Sequence, residues 1–395
     1  MLKRRIEPII QDDLRRKMVL LAGPRQCGKT SLSLEFLNLF SGHYYTWDSA
    51  ADRKTLINEK LNSESKLWIF DELHKYRRWR NWLKGVFDQN RSKHSILVTG
   101  SARLDLYSRG GDSLQGRYFF HRLHPFTLSE VLGEKFLSDH DWLKNIGMSS
   151  SHSGQSDLDG LFKLGGFPEP FSSASERLSD RWRLRYGTQL VREEVKSLEA
   201  VQDLDRIELL FDRLAQTVGS TLSINNLRED LEVSHVTVQN WIRILERLYG
   251  VFRVPPFGPV KIKAVKKETK LYFWDWARVE DPGARFENLV AVHLLRFAHW
   301  LEDVEGKKCE LRYFRTTVGH EVDFIFLIKG VPVFAVEVEL SDRPLDTNLK
   351  YLLERIKIPM AFQISKNGTN DFLSPPFGGC RVRVMPAEKF LRSLP

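Results

Sequence analysis

Eight residues near the front of the chain, Gly23-Pro24-Arg25-Gln26-Cys27-Gly28-Lys29-Thr30, follow the spacing G-x-x-x-x-G-K-[ST] at every constrained position. Those residue types suit one chemistry. Glycines let backbone N–H groups wrap phosphates, the Lys29 ammonium reaches the outer phosphates, and the Thr30 hydroxyl offers an oxygen to Mg2+. The expected nucleotide-binding set is therefore Gly23 to Thr30 with Ser31. Asp71 and Glu72 close a later apolar run, "KLWIFDELHK". In ATP chemistry the first acid holds the Mg2+ shell with Thr30, and the second polarises the attacking water. Thr99 and Ser101, in "SILVTGSARL", are placed to sense the γ-phosphate or the water, although Thr-Gly-Ser also reads as an ordinary turn.

These groups need elements to hold them at one point. "MVLLA", "KLWIF" and "SILVT" are short apolar strands, and the phosphate-type loop leads from the first into an amphipathic helix. Strands alternating with helices predict a parallel sheet whose ligand sits at its carboxyl ends. "HKYRRWRNWLK" interleaves basic and aromatic residues. That pattern suits nucleic acid. Trp79, Trp82 and Val86 recur at helical spacing, however, and favour a helix packed on the sheet.

From about residue 205 the pattern becomes three helices, "LLFDRLAQTVG", "SINNLREDLEV" and "SHVTVQNWIRILERLYG". On the third, Val238, Trp241, Leu245 and Leu248 face a core and leave His235, Gln239, Asn240 and Arg243 outside. That is the helix-turn-helix layout, and the expected wing carries Lys261, Lys263, Lys266, Lys267 and Lys270. Such a face suits DNA phosphates and base edges, and equally a protein surface.

At the back, "HEVDFIFLIKGVPVFAVEVEL" places Asp323, Glu337 and Glu339 in strands otherwise built from Val, Phe, Ile and Leu. Strand side chains alternate, so Glu337 and Glu339 share one face, and like charges buried together require a cation.

"GPRQCGKT", "FDELHK", "VTGSAR", "SLQGRYFFHRLHPFTLSEV" and "GGFPEPF" together resemble a group of bacterial and archaeal AAA+-type ATPases. Their C-terminal domain is classed as a relative of the PD-(D/E)xK nucleases. The resemblance implies an ATP- and Mg2+-dependent ATPase with Lys29, Asp71, Glu72 and Arg117 as catalytic positions. Arg117, with Arg103 as a second candidate, would be an arginine finger, a residue often supplied by a neighbouring subunit; acting between subunits, it implies a homo-oligomer. The resemblance also implies Glu287, Asp323 and Glu337 as a second metal site. One position departs from that pattern: Glu339 stands where the relatives carry lysine, and Lys350 on the next helix is a possible substitute. Three readings follow for the acids: a live nuclease, an inactive nuclease fold used for binding or assembly, or acids solvated at a strand edge. The second is favoured.

Composition bounds these readings. The chain has 395 residues, a net charge of +9 and three scattered cysteines, Cys27, Cys309 and Cys380. Length allows two or three domains, and the charge permits an anionic partner. The cysteines form neither a metal knuckle nor an even disulfide framework, which points to a reducing compartment. The charged N-terminus does not read as a signal peptide and no run is long enough to cross a membrane, so the expectation is a cytoplasmic protein. The full expectation is α/β: a P-loop parallel-sheet ATPase with its lid over 1–195, a winged helix-turn-helix over 196–280, and a mixed α/β restriction-endonuclease-like domain over 281–395. A Ser/Gly-rich insert falls at 147–157.

Overall fold

The structure is a computed structural model that describes residues 2–100, 114–134, 146, 153–195, 203–258 and 268–395. Ser101, Arg103, Lys261, Lys263, Lys266, Lys267 and most of the Ser/Gly-rich insert lie outside the described residues. The chain divides into two compact units: 1–125 with 247–249, and 126–246 with 250–395.

In the first unit five strands, β1 (Met18–Ala22), β2 (Gly42–Thr46), β3 (Leu67–Asp71), β4 (Ser95–Thr99) and β5 (Tyr118–Arg122), form one parallel sheet in the order β2-β3-β4-β1-β5. β1 and β3 are buried along their whole length, which is why they read as unbroken apolar runs rather than alternating ones. Helices α1 (Glu7–Asp13), α2 (Lys29–Phe40), α3 (Ala50–Ile57) and α4 (Trp79–Asn90) accompany the sheet. The "HKYRRWRNWLK" stretch enters α4, and Trp79, Trp82, Leu83 and Val86 pack in the core with Trp68 and Phe70. Burial of the tryptophans, not nucleic-acid stacking, explains that pattern. Parallel register sets Thr46 beside Asp71 and Asp71 beside Thr99 at the carboxyl edge.

The second unit carries helices Leu204–Ala215, Ile224–Asp230 and His235–Arg247, capped by Asp203, Ser223 and Ser234 in turn. A two-stranded antiparallel ladder follows, β6 (Val251–Val254) with β7 (Lys270–Phe273). The helix Pro282–Glu305 opens on an Asp281 cap and Pro282, and ends at Gly306 with φ 64°. Then come β8 (Cys309–Arg315), β9 (Glu321–Ile328), β10 (Val331–Glu339), the helix Thr347–Arg355 and β11 (Met360–Ser365), in the order the sequence suggested. Beyond that expectation lie β12 (Phe372–Phe377), β13 (Cys380–Pro386) and a closing helix, Ala387–Arg392. The sheet order is β12-β13-β11-β10-β9-β8.

The division after residue 125 differs from the boundary expected near 195. Residues 126–195 pack with the C-terminal unit through buried polar links. Arg183 Nε donates to Asp275 Oδ2 at 2.9 Å, and Trp276 Nε1 donates to the Leu161 carbonyl at 2.7 Å. "GGFPEPF" belongs to this packing. A Cβ on Gly165, at φ 86°, would stand 2.7 Å from Asp275 Oδ1, and Phe167 packs against Trp182 and Tyr186.

Candidate nucleotide site

Gly23 to Thr30 leaves β1 at the carboxyl edge of the sheet and enters α2. Its glycines are required by space and by torsion. Gly23 sits at φ 149°, and a Cβ there would stand 2.3 Å from the Leu123 carbonyl oxygen. Gly28 caps α2 at φ 97°. Cys27 is fully buried, with its carbonyl held by Arg4 at 3.1 Å. Pro24 is buried, Arg25 and Ser31 are half-buried, and Gln26 is exposed at φ 61°.

Lys29 is 7% exposed, and its ammonium donates to the carbonyls of Gly23 at 2.9 Å and Pro24 at 2.6 Å. The loop thus keeps a cation at its mouth, held by carbonyl bonds that phosphate oxygens can replace. Across the edge, Asp71 gathers three hydroxyls. Thr30 Oγ1 donates to its Oδ2 at 3.1 Å, Tyr44 OH to the same oxygen at 2.5 Å, and Thr99 Oγ1 to Oδ1 at 2.5 Å. Thr30 and Asp71, the pair expected to hold Mg2+, are therefore in direct contact. Burial and the Asp71 carboxylate push the Tyr44 phenol pKa well up, which keeps it a donor. No motif pointed to Tyr44; its only signal is parity with Thr46 along edge strand β2.

Glu72, at φ 56°, turns off the strand end while its N–H donates to the Thr99 carbonyl at 3.0 Å. Its carboxylate lies 3.5 Å from His74 and 3.4 Å from Lys75. Arg117 is elsewhere. It precedes β5 at the amino edge and pairs with Asp88 at 2.8 Å. Five strand residues, about 16 Å at 3.3 Å each, separate that edge from the loop. Strand direction thus places Arg117 at the edge of the sheet opposite the loop of its own chain.

The acids of the C-terminal unit are brought together, around a lysine. β7 alternation points Lys270 and Tyr272 the same way, and Asn288 clamps β7 to the helix Pro282–Glu305 by accepting from Phe273 N–H (2.9 Å) and donating to its carbonyl (2.7 Å). Lys270 Nζ lies 2.9 Å from Glu287, 2.7 Å from Glu321 and 3.2 Å from Asp323, and is 1% exposed. Tyr272 OH donates to Glu287 at 2.6 Å. Glu337, directly across the β9–β10 ladder, accepts from Asp323 N–H at 3.4 Å. Lys270 was expected on the wing with its neighbours; one end of β7 carries it inward instead. Lys350 is no substitute, because its ammonium lies over the Phe377 ring at 5.5 Å. Glu339 pairs with Arg343 at 3.3 Å.

Burial raises Asp323 to about 7, with Glu287 adding to the shift, and burial followed by Asp323 raises Glu337 well above the carboxylate range. Burial alone would lower Lys270, but Tyr272, Glu287, Asp323 and Glu321 hold it well above its ordinary value. Among the described residues, no group of three or more His, Cys, Asp or Glu is arranged to hold a metal ion. Glu287 Oε1 meets the ammonium and the Tyr272 phenol, Asp323 Oδ1 the ammonium and Oδ2 the Val338 N–H, and Glu337 Oε2 the Asp323 N–H.

On the helix His235–Arg247, Val238, Trp241 and Leu245 are buried, as is Leu248 just beyond it; His235, Asn240 and Arg243 are exposed and Gln239 half-exposed. Arg253 on β6 braces this helix through a paired contact with Glu246, both distances 2.7 Å. Among the described residues, no helix is long and apolar enough to cross a membrane.

Comparison with known proteins finds family models that match parts of the chain. Residues 15–132 match an AAA domain, 155–278 a domain of unknown function (DUF8612), and 282–374 a second domain of unknown function (DUF4143). Uncharacterized protein MJ1637 of Methanocaldococcus jannaschii is 24% identical over 406 residues, covering 90% of this chain and 82% of its own. Uncharacterized protein Rv2008c of Mycobacterium tuberculosis is 25% identical over 347 residues, covering 84% and 72%. Among solved structures, a chain of two coordinating Pif1 helicases in DNA unwinding at forked dsDNA aligns at 15% identity and TM-score 0.20, over 42% of this chain and 52% of that one. The Pyrococcus furiosus Hef helicase domain aligns at 11% and 0.20, over 62% and 67%. Likenesses at that TM-score carry no argument. The phosphate loop and Asp71 thus lie inside an AAA domain of the P-loop ATPase class, which this chain joins to a C-terminal DUF4143 domain.

Proposed function

We propose that the chain binds ATP with Mg2+ at Gly23–Thr30 and hydrolyses it, and that nucleotide state governs a DNA-contacting module in the C-terminal unit. The observation that carries this reading is the direct Thr30–Asp71 contact beside the buried Lys29 ammonium. Lys29 would exchange its loop carbonyls for β- and γ-phosphate oxygens, and Asp71, steadied by Tyr44 and Thr99, would orient the metal shell. Bound Mg2+ would neutralise charge growing on the transferred phosphoryl group. Glu72 would take a proton from the attacking water as its oxygen bonds to the γ-phosphorus and the bond to the β–γ bridging oxygen breaks, leaving ADP and phosphate. A part for Arg117 in this step requires a second copy of the chain. The exposed face His235, Gln239, Asn240 and Arg243 supports the DNA-contacting part. Glu339 in place of the relatives' lysine, paired with Arg343, favours a binding role over strand cleavage for the six-stranded sheet.

ATP turnover measured with and without DNA for the native chain, Lys29→Ala and Glu72→Gln tests this. Loss of turnover of about a hundredfold or more is expected in both variants, with ATP binding kept by Glu72→Gln. Unchanged turnover in Lys29→Ala overturns the reading.

A further inference from the structure

The amino edge of the parallel sheet, opposite the phosphate loop, holds a cavity of about 180 Å³ that the ATP reading leaves unused. It lies where α1 runs into β1 and α4 runs into β4. Arg15, Arg16, Lys17, Arg91, Lys93 and His94 line it, and no acidic side chain does. Its apolar lining, Leu14, Met18, Phe87 and Ile96, is buried beneath and offers little surface to a ring or an acyl chain.

Basic residues at helix C-termini have an ordinary explanation, since they offset the negative end of the helix dipole. Here the charge exceeds that need. The ends of α1 and α4 present about half a negative charge each. Of the lining cations, Arg16 is paired with Asp12 at 2.9 Å, and nearby Asp88 is taken by Arg117. Arg15, Arg91 and Lys93 are exposed and make no side-chain hydrogen bond or ion pair among the described residues; Lys17 meets only the Phe119 ring, at 5.2 Å. Four cations lining one concavity against about one dipolar charge leave a net positive hollow. Its volume is that of about six waters at about 30 Å³ each, enough for one or two phosphate groups. Arginine's planar fork matches phosphate oxygens in pairs.

We propose that this hollow is a second phosphate-binding site, one that takes phosphate groups of a nucleic-acid strand or of a free oligophosphate. It is independent of the ATP-binding reading, because it stands at the other end of the strands that carry the loop.

The test uses the full chain with Lys29→Ala, which removes the loop ammonium from the comparison. Binding of tripolyphosphate and of a labelled single-stranded 20-mer is measured over a salt series, before and after Arg15→Ser with Lys93→Ser. Both substitutions are at exposed positions, and an unchanged melting temperature checks that the fold survives. The double substitution should weaken at least one of the two ligands about tenfold and flatten its salt slope by about two counterions. A loss confined to the 20-mer identifies a strand as the source of the phosphates; a loss confined to tripolyphosphate identifies a free oligophosphate. Charge reversal, Arg15→Glu with Lys93→Glu, should deepen the same loss. Affinity for both ligands unchanged by the double substitution, or abolished by Lys29→Ala alone, overturns the proposal.

Discussion

Lys270 holds one ammonium within 3.2 Å of three carboxylates, out of reach of water. A buried carboxylate without a partner is costly, and the cost exceeds what the intact pair gains over apolar residues of similar size. Lys270→Met should therefore destabilise the C-terminal unit by about 3–5 kcal/mol in urea unfolding, and Glu287→Gln on top of it should recover part of that loss. Equal stability of Lys270→Met and the native chain would show that the cluster needs no internal cation. Tyr44 offers a second residue-scale test. Its hydroxyl shares Asp71 Oδ2 with Thr30, so Tyr44→Phe should raise the Mg2+ concentration for half-maximal ATP turnover several-fold, with a smaller change in kcat. A variant that lowered kcat at every Mg2+ concentration without moving the midpoint would assign Tyr44 a merely structural part.

The elements differ in how openly the sequence announced them. β1, β3 and β4 were legible because central parallel strands are continuous apolar runs bounded by Gly, Asp or Thr. The helix His235–Arg247 was legible through its Ser234 cap and its buried stripe. β12, which pairs with β13 only, was not: four of its six residues are exposed, and it carries two prolines with an irregular register. On the helix His235–Arg247, replacing Asn240 and Arg243 with alanine removes exposed groups and no core contact. DNA affinity in a gel-shift titration should fall about tenfold or more while the melting temperature stays within a degree or so. Undiminished binding would move the nucleic-acid contact off this face.

At the scale of the molecule, buried charge ties stability to pH. The acid cluster gives the C-terminal unit a pH dependence of definite sign. Asp323, faced by Lys270, Glu287, Glu321 and Glu337, has a folded-state pKa of about 7 against an ordinary 3.8, so the folded chain holds that proton more tightly than the unfolded one. Its contribution is full below about pH 4 and is lost as pH rises through about 7. Asp323→Asn should flatten the decline of stability between those limits in unfolding measurements at fixed salt, and an unaltered slope would refute the assignment. Arg117 shows the same dependence on scale: the resemblance implied a role beside phosphate, and strand direction puts it at the edge opposite its own chain's loop.

Local spacing was enough to fix the phosphate loop, the acid pair after β3, the buried face of α4 and the apolar stripe of His235–Arg247. Each of these is decided within a few residues, by torsion, alternation or helical period. The partners of the C-terminal acids were beyond its reach. Lys270, Glu287, Asp323 and Glu337 come from four separate elements, and they meet only because Asn288 docks β7 on the long helix and antiparallel register sets Asp323 across from Glu337. A charge buried far from its partner in the chain leaves no periodic trace; tertiary packing alone decides what neutralises it.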